Sequence, residues 1–285
     1  MTPQTPPSGT TAPVTSLATV TASERTIPLR DGQFQIVVRE GGAETPLIFL
    51  HGLAGESWDP FLSGLAAEHR VIAPCLPGAS GGSTGLEHLL DHHDLFFLYQ
   101  ELLDALLAEL DVESVTLVGH SFGGWLAAEL AAAEPARVSS LVLIAPLGLW
   151  NDADPVADFF ALLPAELAAA AFHDASHPLA LAMQDMGESE AEKKVVMLRR
   201  ARDNRAVARF IWPIPDKGLS KRIQRVRAKT LLVWGESDGI VPPRYAEDFA
   251  GRIAGSRVEM IAAAGHLPQV EQPEATLTVV RAFLH

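Results

Sequence analysis

The chain has 285 residues, of which 48% are hydrophobic, and a formal net charge of -13. That length and apolar content support one large core domain with insertions, and the acidic balance weighs against nucleic acid or an anionic membrane surface as partner, since both demand clustered Lys and Arg. The single cysteine, Cys75, excludes an internal disulfide and permits a reducing compartment; no run reaches the ~18 apolar residues of a membrane span and no secretory leader is visible, so the expected setting is cytoplasmic, without stable membrane insertion.

Residues 1–24, rich in Thr, Pro and Ser, hold too few large apolar side chains to offset their ordering entropy and read as a loose tail. Folded structure is expected from about Thr26. Phe34 to Arg39 alternates as an early antiparallel strand after the turn at Arg30–Gln33. Pro46 to Leu50 is wholly apolar, as in a central strand covered on both faces, and runs into His51-Gly52-Leu53-Ala54-Gly55. Small residues there let backbone N–H groups approach a ligand, which makes the N–H of Leu53 a candidate oxyanion donor. His51 reads as a buried imidazole bracing that loop.

A helix is expected over Trp58–His69 and a fourth strand over Val71–Cys75. Leucines at 95, 98, 102, 103, 106, 107 and 110 mark a helix with one face on the sheet. His92, His93 and Asp94 lie at its start, but neighbouring histidines on a helix diverge, so no metal is expected there.

The chain is organised around Val115 to Glu129, which passes from an apolar strand through Gly119-His120-Ser121-Phe122-Gly123-Gly124 into an Ala/Leu-rich helix. A serine on so sharp a turn needs positive φ and near-absent side chains two residues to either side, which Gly119 and Gly123 supply. The same turn places the N–H of Phe122 at a helix start, free to face a developing oxyanion.

Val138 to Pro146 is another buried strand, after which the alternation of strand and helix stops. Residues 147–215 read as an inserted helical cap between two parts of a core, 25–146 and 216–285, with helices expected over Asp152–Phe160, Pro164–His173 and Ser189–Phe210. Trp150, Phe159, Phe160, Met183, Phe210 and Trp212 are the candidates to line an apolar substrate pocket. The sheet resumes with Lys229–Trp234 and Arg257–Ile261. Each is followed by a loop with a chemically useful residue, Asp238 and His266, on the edge where Ser121 sits and where open α/β sheets bind ligands. A serine hydroxyl needs a base that titrates near neutrality, and that base needs a fixed tautomer. His266 and Asp238 supply these in the order Ser, Asp, His.

On these residues the chain resembles the α/β-hydrolase superfamily from about residue 26 onward, through His51-Gly52, Gly119–Gly124, Gly235–Asp238 and Gly265-His266. The resemblance implies an α/β fold with a mostly parallel eight-stranded sheet flanked by helices and a helical cap between the sixth and seventh strands. It makes Ser121 the nucleophile, His266 the base, Asp238 the orienting acid, and Leu53 and Phe122 the oxyanion donors. Asp152 or Asp154 could take the acid's place, although the 235–238 loop fits better. Serine at 121 disfavours members with an aspartate nucleophile, Cys75 stands where relatives often carry an acid, and Leu267 stands where the family's carbon-carbon bond hydrolases typically carry tryptophan. The reading is a serine carboxylesterase, without cofactor or metal, acting on small to medium apolar esters. The alternatives are hydrolysis of a carbon-carbon bond in a vinylogous diketone by the same triad, and a non-catalytic ligand-binding member of the fold.

Overall fold

The computed structural model describes residues 20–53, 55, 57–79 and 82–285, so most of the expected tail lies outside the described residues. The first strand, β1 (Ser23–Leu29), starts before Thr26 because it pairs antiparallel with β2 (Phe34–Gly41) along its whole length, Ser23 opposite Glu40. Charge reinforces that edge, with Arg25 bound to both Glu40 and Glu109. β3 (Pro46–Leu50) leads to a short helix, α1 (Pro60–Leu65). This helix covers only the middle of the expected Trp58–His69: Asp59 caps it, accepting the N–H of Leu62 at 2.8 Å, and Pro60 fixes its first turn.

β4 (Arg70–Pro74) is followed by α2 (His92–Leu110), β5 (Val115–His120), α3 (Phe122–Ala133) and β6 (Val138–Ile144). No strand forms between β6 and β7 (Lys229–Gly235) among the described residues; that stretch holds α4 (Pro164–Ala171), α5 (Pro178–Gln184) and α6 (Glu190–Ile211). The chain closes with α7 (Tyr245–Ala250), β8 (Arg257–Ile261), α8 (Pro268–Glu271) and α9 (Pro273–Leu284). The eight strands form one sheet in the order β1-β2-β4-β3-β5-β6-β7-β8. β2 runs antiparallel to both its neighbours and every other pair is parallel. This is the expected α/β architecture with a mostly parallel sheet.

Helices cover both faces. On one, the leucines of α2 pack with α3, and Phe159, Phe172 and Phe210 from the segment after β6 join the same cluster. On the other, Phe61, Leu62 and Leu65 of α1 meet Leu277, Val280 and Phe283 of α9.

The expected helix over Asp152–Phe160 does not form. Pro155 biases Asp154 away from helical backbone, the Asn151 side chain takes the N–H of Ala153 at 3.0 Å, and the N–H of Ala157 goes instead to the carbonyl of Ile240 at 2.9 Å.

Candidate active site

β5 ends and α3 begins at Ser121, whose backbone has φ 54 and ψ -114, the strained conformation the turn requires. The chain tolerates it because the flanking positions are bare. A Cβ on Gly119 would stand 2.5 Å from the carbonyl oxygen of Gly123, and one on Gly123 would collide with the carbonyl of Leu50 at the end of β3. The elbow is therefore wedged against the loop at His51 and Gly52, where a Cβ on Gly52 would stand 3.3 Å from that of Ser121.

The Ser121 hydroxyl lies 2.8 Å from Nε2 of His266, and Nδ1 of His266 lies 2.8 Å from Oδ2 of Asp238. All three residues are buried, at 4, 7 and 4% exposure for Ser121, His266 and Asp238. Oδ1 of Asp238 accepts the N–H groups of Ile240 at 2.8 Å and Val241 at 2.9 Å, so the carboxylate is clamped with its other oxygen toward the imidazole. That fixes the proton of His266 on Nδ1 and leaves Nε2 to accept from the serine. Asp152 and Asp154 are occupied elsewhere: the Asp152 carboxylate accepts the Trp150 indole N–H at 2.8 Å, and Asp154 lies near Arg244.

Phe122 and Leu53, the two expected oxyanion donors, lie to either side of the elbow in the chain. Phe122 is the first residue of α3, and Leu53 follows the glycine packed on Ser121. Among the described residues neither backbone N–H donates to a protein acceptor. His51 braces this loop: its Nδ1–H donates to the carbonyl of Gly52 at 2.7 Å and its Nε2 accepts the N–H of Leu76 at 2.9 Å. Burial holds the ring below the ordinary histidine range, in keeping with a neutral imidazole that uses one nitrogen as donor and the other as acceptor.

Sequence reasoning missed His120, Glu271 and the end of α4. His120 donates from Nε2 to the carbonyl of His266 at 2.9 Å, tying the neighbour of Ser121 to the backbone of His266. The carbonyls of Ala170 and Ala171 accept the N–H groups of Gly239 at 2.9 Å and His266 at 2.7 Å, so the end of α4 holds the loops of Asp238 and His266 together. Glu271 clips the same junction, with Oε2 accepting the N–H of Gly265 at 2.6 Å and Oε1 those of His173 at 2.8 Å and Asp174 at 3.1 Å. No motif announces such contacts, because the partners are backbone groups that any residue carries.

Burial, and next the nearby His266, push His120 down to about 3, so the ring stays neutral in the fold. The unfolded chain binds that proton near pH 6.5. Between about pH 6.5 and 3 the unfolded state thus holds more protons, and the stability His120 contributes at neutral pH is lost as pH falls through that window. The unfolding free energy from urea titrations is expected to drop on acidification by on the order of a few kcal/mol, with a shallower acid limb in His120→Gln. An identical limb in that variant would remove His120 as its source.

The pocket candidates scatter. Phe210 is buried, with its ring centroid 6.5 Å from that of Phe122. Phe159 and Phe160 contact each other at 4.6 Å, and Trp212 meets Phe160 edge-on at 6.0 Å but is 53% exposed. Trp150 and Met183 are half-buried against the core. The expected divergence of His92 and His93 is not seen: their ring centroids are 4.0 Å apart, and with Asp91 they bring one ligand atom each within 4.8 Å. At a helix's first turn no preceding turn crowds the rings apart. Asp91 is meanwhile the cap of α2, accepting from the N–H groups of His93 and Asp94.

Among relatives, the chain is 29% identical over 84% of its length to the biotin biosynthesis bifunctional protein BioHC of Teredinibacter turnerae, spanning only 44% of that protein. It is 26% identical to the pimeloyl-[acyl-carrier protein] methyl ester esterase of Photobacterium profundum, covering 85% of this chain and 96% of the relative. It is also 26% identical to the 2-hydroxy-6-oxo-2,4-heptadienoate hydrolase of Pseudomonas putida, covering 89% and 94%. The fold superposes on naproxen esterase of Bacillus subtilis with a TM-score of 0.74 at 23% identity, over 95% of this chain and 94% of that one. The family model described as the alpha/beta hydrolase family matches residues 47–279. The chain belongs to the alpha/beta hydrolase family.

Proposed function

We propose that the chain is a serine hydrolase of small to medium apolar carboxylic esters, acting through an acyl-enzyme, with residues 147–215 serving as its cap. The observation that carries this is the unbroken hydrogen-bond chain from Ser121 through His266 to Asp238. The Ser121 oxygen attacks the ester carbonyl while its proton passes to Nε2 of His266. Negative charge on the former carbonyl oxygen is met by the N–H groups of Leu53 and Phe122; loss of one such donor typically costs about 10²–10³ in turnover. The alkoxide leaves with the proton from His266. Water then attacks the acyl-serine, giving its proton to the same nitrogen, and Ser121 is regenerated with release of the acid.

The ester class is favoured by the esterase relative and by Phe210, whose ring lies 6.5 Å from that of Phe122 at the elbow. The heptadienoate hydrolase relative supports the second reading, carbon-carbon cleavage by the same triad. Chromogenic esters of rising acyl length, run beside a dienol diketone and beside Ser121→Ala, separate the two. Ester turnover that the variant loses is the expected result, its length optimum measuring the pocket. Turnover of the diketone alone would move the assignment to the second reading, and tight binding of an apolar ligand without turnover would make the chain a receptor.

A further inference from the structure

The net charge of -13 weighs against nucleic acid or an anionic membrane surface as partner, but the charge is not evenly spread. α6, with sequence EAEKKVVMLRRARDNRAVARFI, is a basic helix in an acidic protein. Its acidic residues are engaged or turned away: Glu192 closes a capping box with Ser189, Glu190 pairs with Lys193, and Asp203 is half-buried. Lys194, Leu198, Arg202 and Arg205, at i, i+4, i+8 and i+11, form one outward stripe with Val195 and Arg199 beside it. Lys194, Arg199, Arg202 and Arg205 are exposed and form no ion pair among the described residues. Three large apolar side chains stand among them, Val195 at 66%, Met197 at 60% and Leu198 at 61% exposure. The opposite stripe faces inward, where Arg200 binds the carbonyls of Met183 and Asp185 and the helix is held in place.

We propose that this face of α6 docks the protein on an anionic lipid surface. Unpaired cations with Val195 and Leu198 along the outward stripe, and Met197 exposed at its margin, suit a headgroup layer, into which apolar side chains sink while Lys and Arg reach back to phosphate. This site is separate from the residues assigned to ester hydrolysis.

The test is co-sedimentation of the full chain with phosphatidylcholine vesicles, with and without one third phosphatidylglycerol, at low and at 0.5 M salt. Binding to the anionic vesicles only, weakened by salt, is expected. With about fivefold per basic residue near the surface, Arg199→Ser/Arg202→Ser/Arg205→Ser should weaken it about 100-fold. Val195→Ser/Leu198→Ser should weaken it as well, while hydrolysis of a soluble ester and the denaturation midpoint stay unchanged in both variants. Equal partition onto both vesicle types, no sedimentation with either, or wild-type binding by the triple arginine variant would each overturn the proposal. So would retention on polyglutamate while the vesicles stay bare, an outcome that reassigns the face to an acidic protein.

Discussion

Asp238→Asn is expected to lower kcat on an ester by about 10⁴-fold while leaving the fold in place. The reason lies in the two backbone donors on its inner oxygen. The N–H groups of Ile240 and Val241 both point at Oδ1. An asparagine must therefore turn its carbonyl oxygen toward them, because an amide nitrogen there would face two donors. The amide NH₂ is then forced toward Nδ1 of His266, where the carboxylate now accepts at 2.8 Å. The imidazole answers by carrying its proton on Nε2, which meets the Ser121 hydroxyl as a donor and cannot take its proton. Steady-state kinetics beside a denaturation curve checks this, and ¹⁵N chemical shifts of His266 report the tautomer directly. A variant within tenfold of wild type would remove Asp238 from the orienting role.

The second large effect is on stability. Glu129 on α3 is buried, and its carboxylate takes Nε of Arg222 at 2.8 Å and a terminal nitrogen at 2.6 Å, with the Trp125 indole at 3.2 Å. Arg222 stands between the short helical turns Leu219–Lys221 and Ile223–Arg225, just ahead of β7, and it also binds the carbonyl of Lys217. The pair thus ties the helix that begins at Ser121 to the strand that leads to Asp238. Removing only the arginine leaves a buried carboxylate with one neutral donor. Arg222→Ala is expected to cost about 3 kcal/mol, tempered from the usual buried-pair range because the guanidinium is partly exposed. Replacing both partners, Glu129→Leu with Arg222→Met, should recover most of that loss. Urea midpoints of the two variants decide it; a double variant as unstable as the single one would show that packing around Trp125, rather than the stranded charge, sets the cost.

The elbow was legible in the sequence because its demands fall on side chains. Only glycine fits at 119 and 123, and a lone serine between them on a strand-to-helix turn has few other reasons to exist. Asp238 and His266 were legible for a related reason, since each follows an apolar strand whose end is fixed by the sheet. Elsewhere the information lay in backbone groups or in distant partners. Nothing in the sequence of 152–160 reveals that Ala157 will donate to Ile240, so a plausible helix was expected where the chain forms turns and irregular backbone. Glu271 looks like any surface acid near a helix, and its three N–H partners are silent in sequence. The charge of α6 was visible but was averaged away in the total.

The end of α4 carries a consequence for how such a chain can vary. Its carbonyls at Ala170 and Ala171 hold the loops of Asp238 and His266, and Glu271 ties His173 and Asp174 to the loop of His266. Pro164 to Asp174 therefore supports the loops of Asp238 and His266, though it sits in the segment between β6 and β7. The working seam between interchangeable and indispensable sequence runs after Asp174, not at the edge of the sheet. Recombination with a relative's insert that crosses upstream of that seam would replace the support of the Asp238 and His266 loops, whereas an exchange confined to α5 and α6 would leave that support whole.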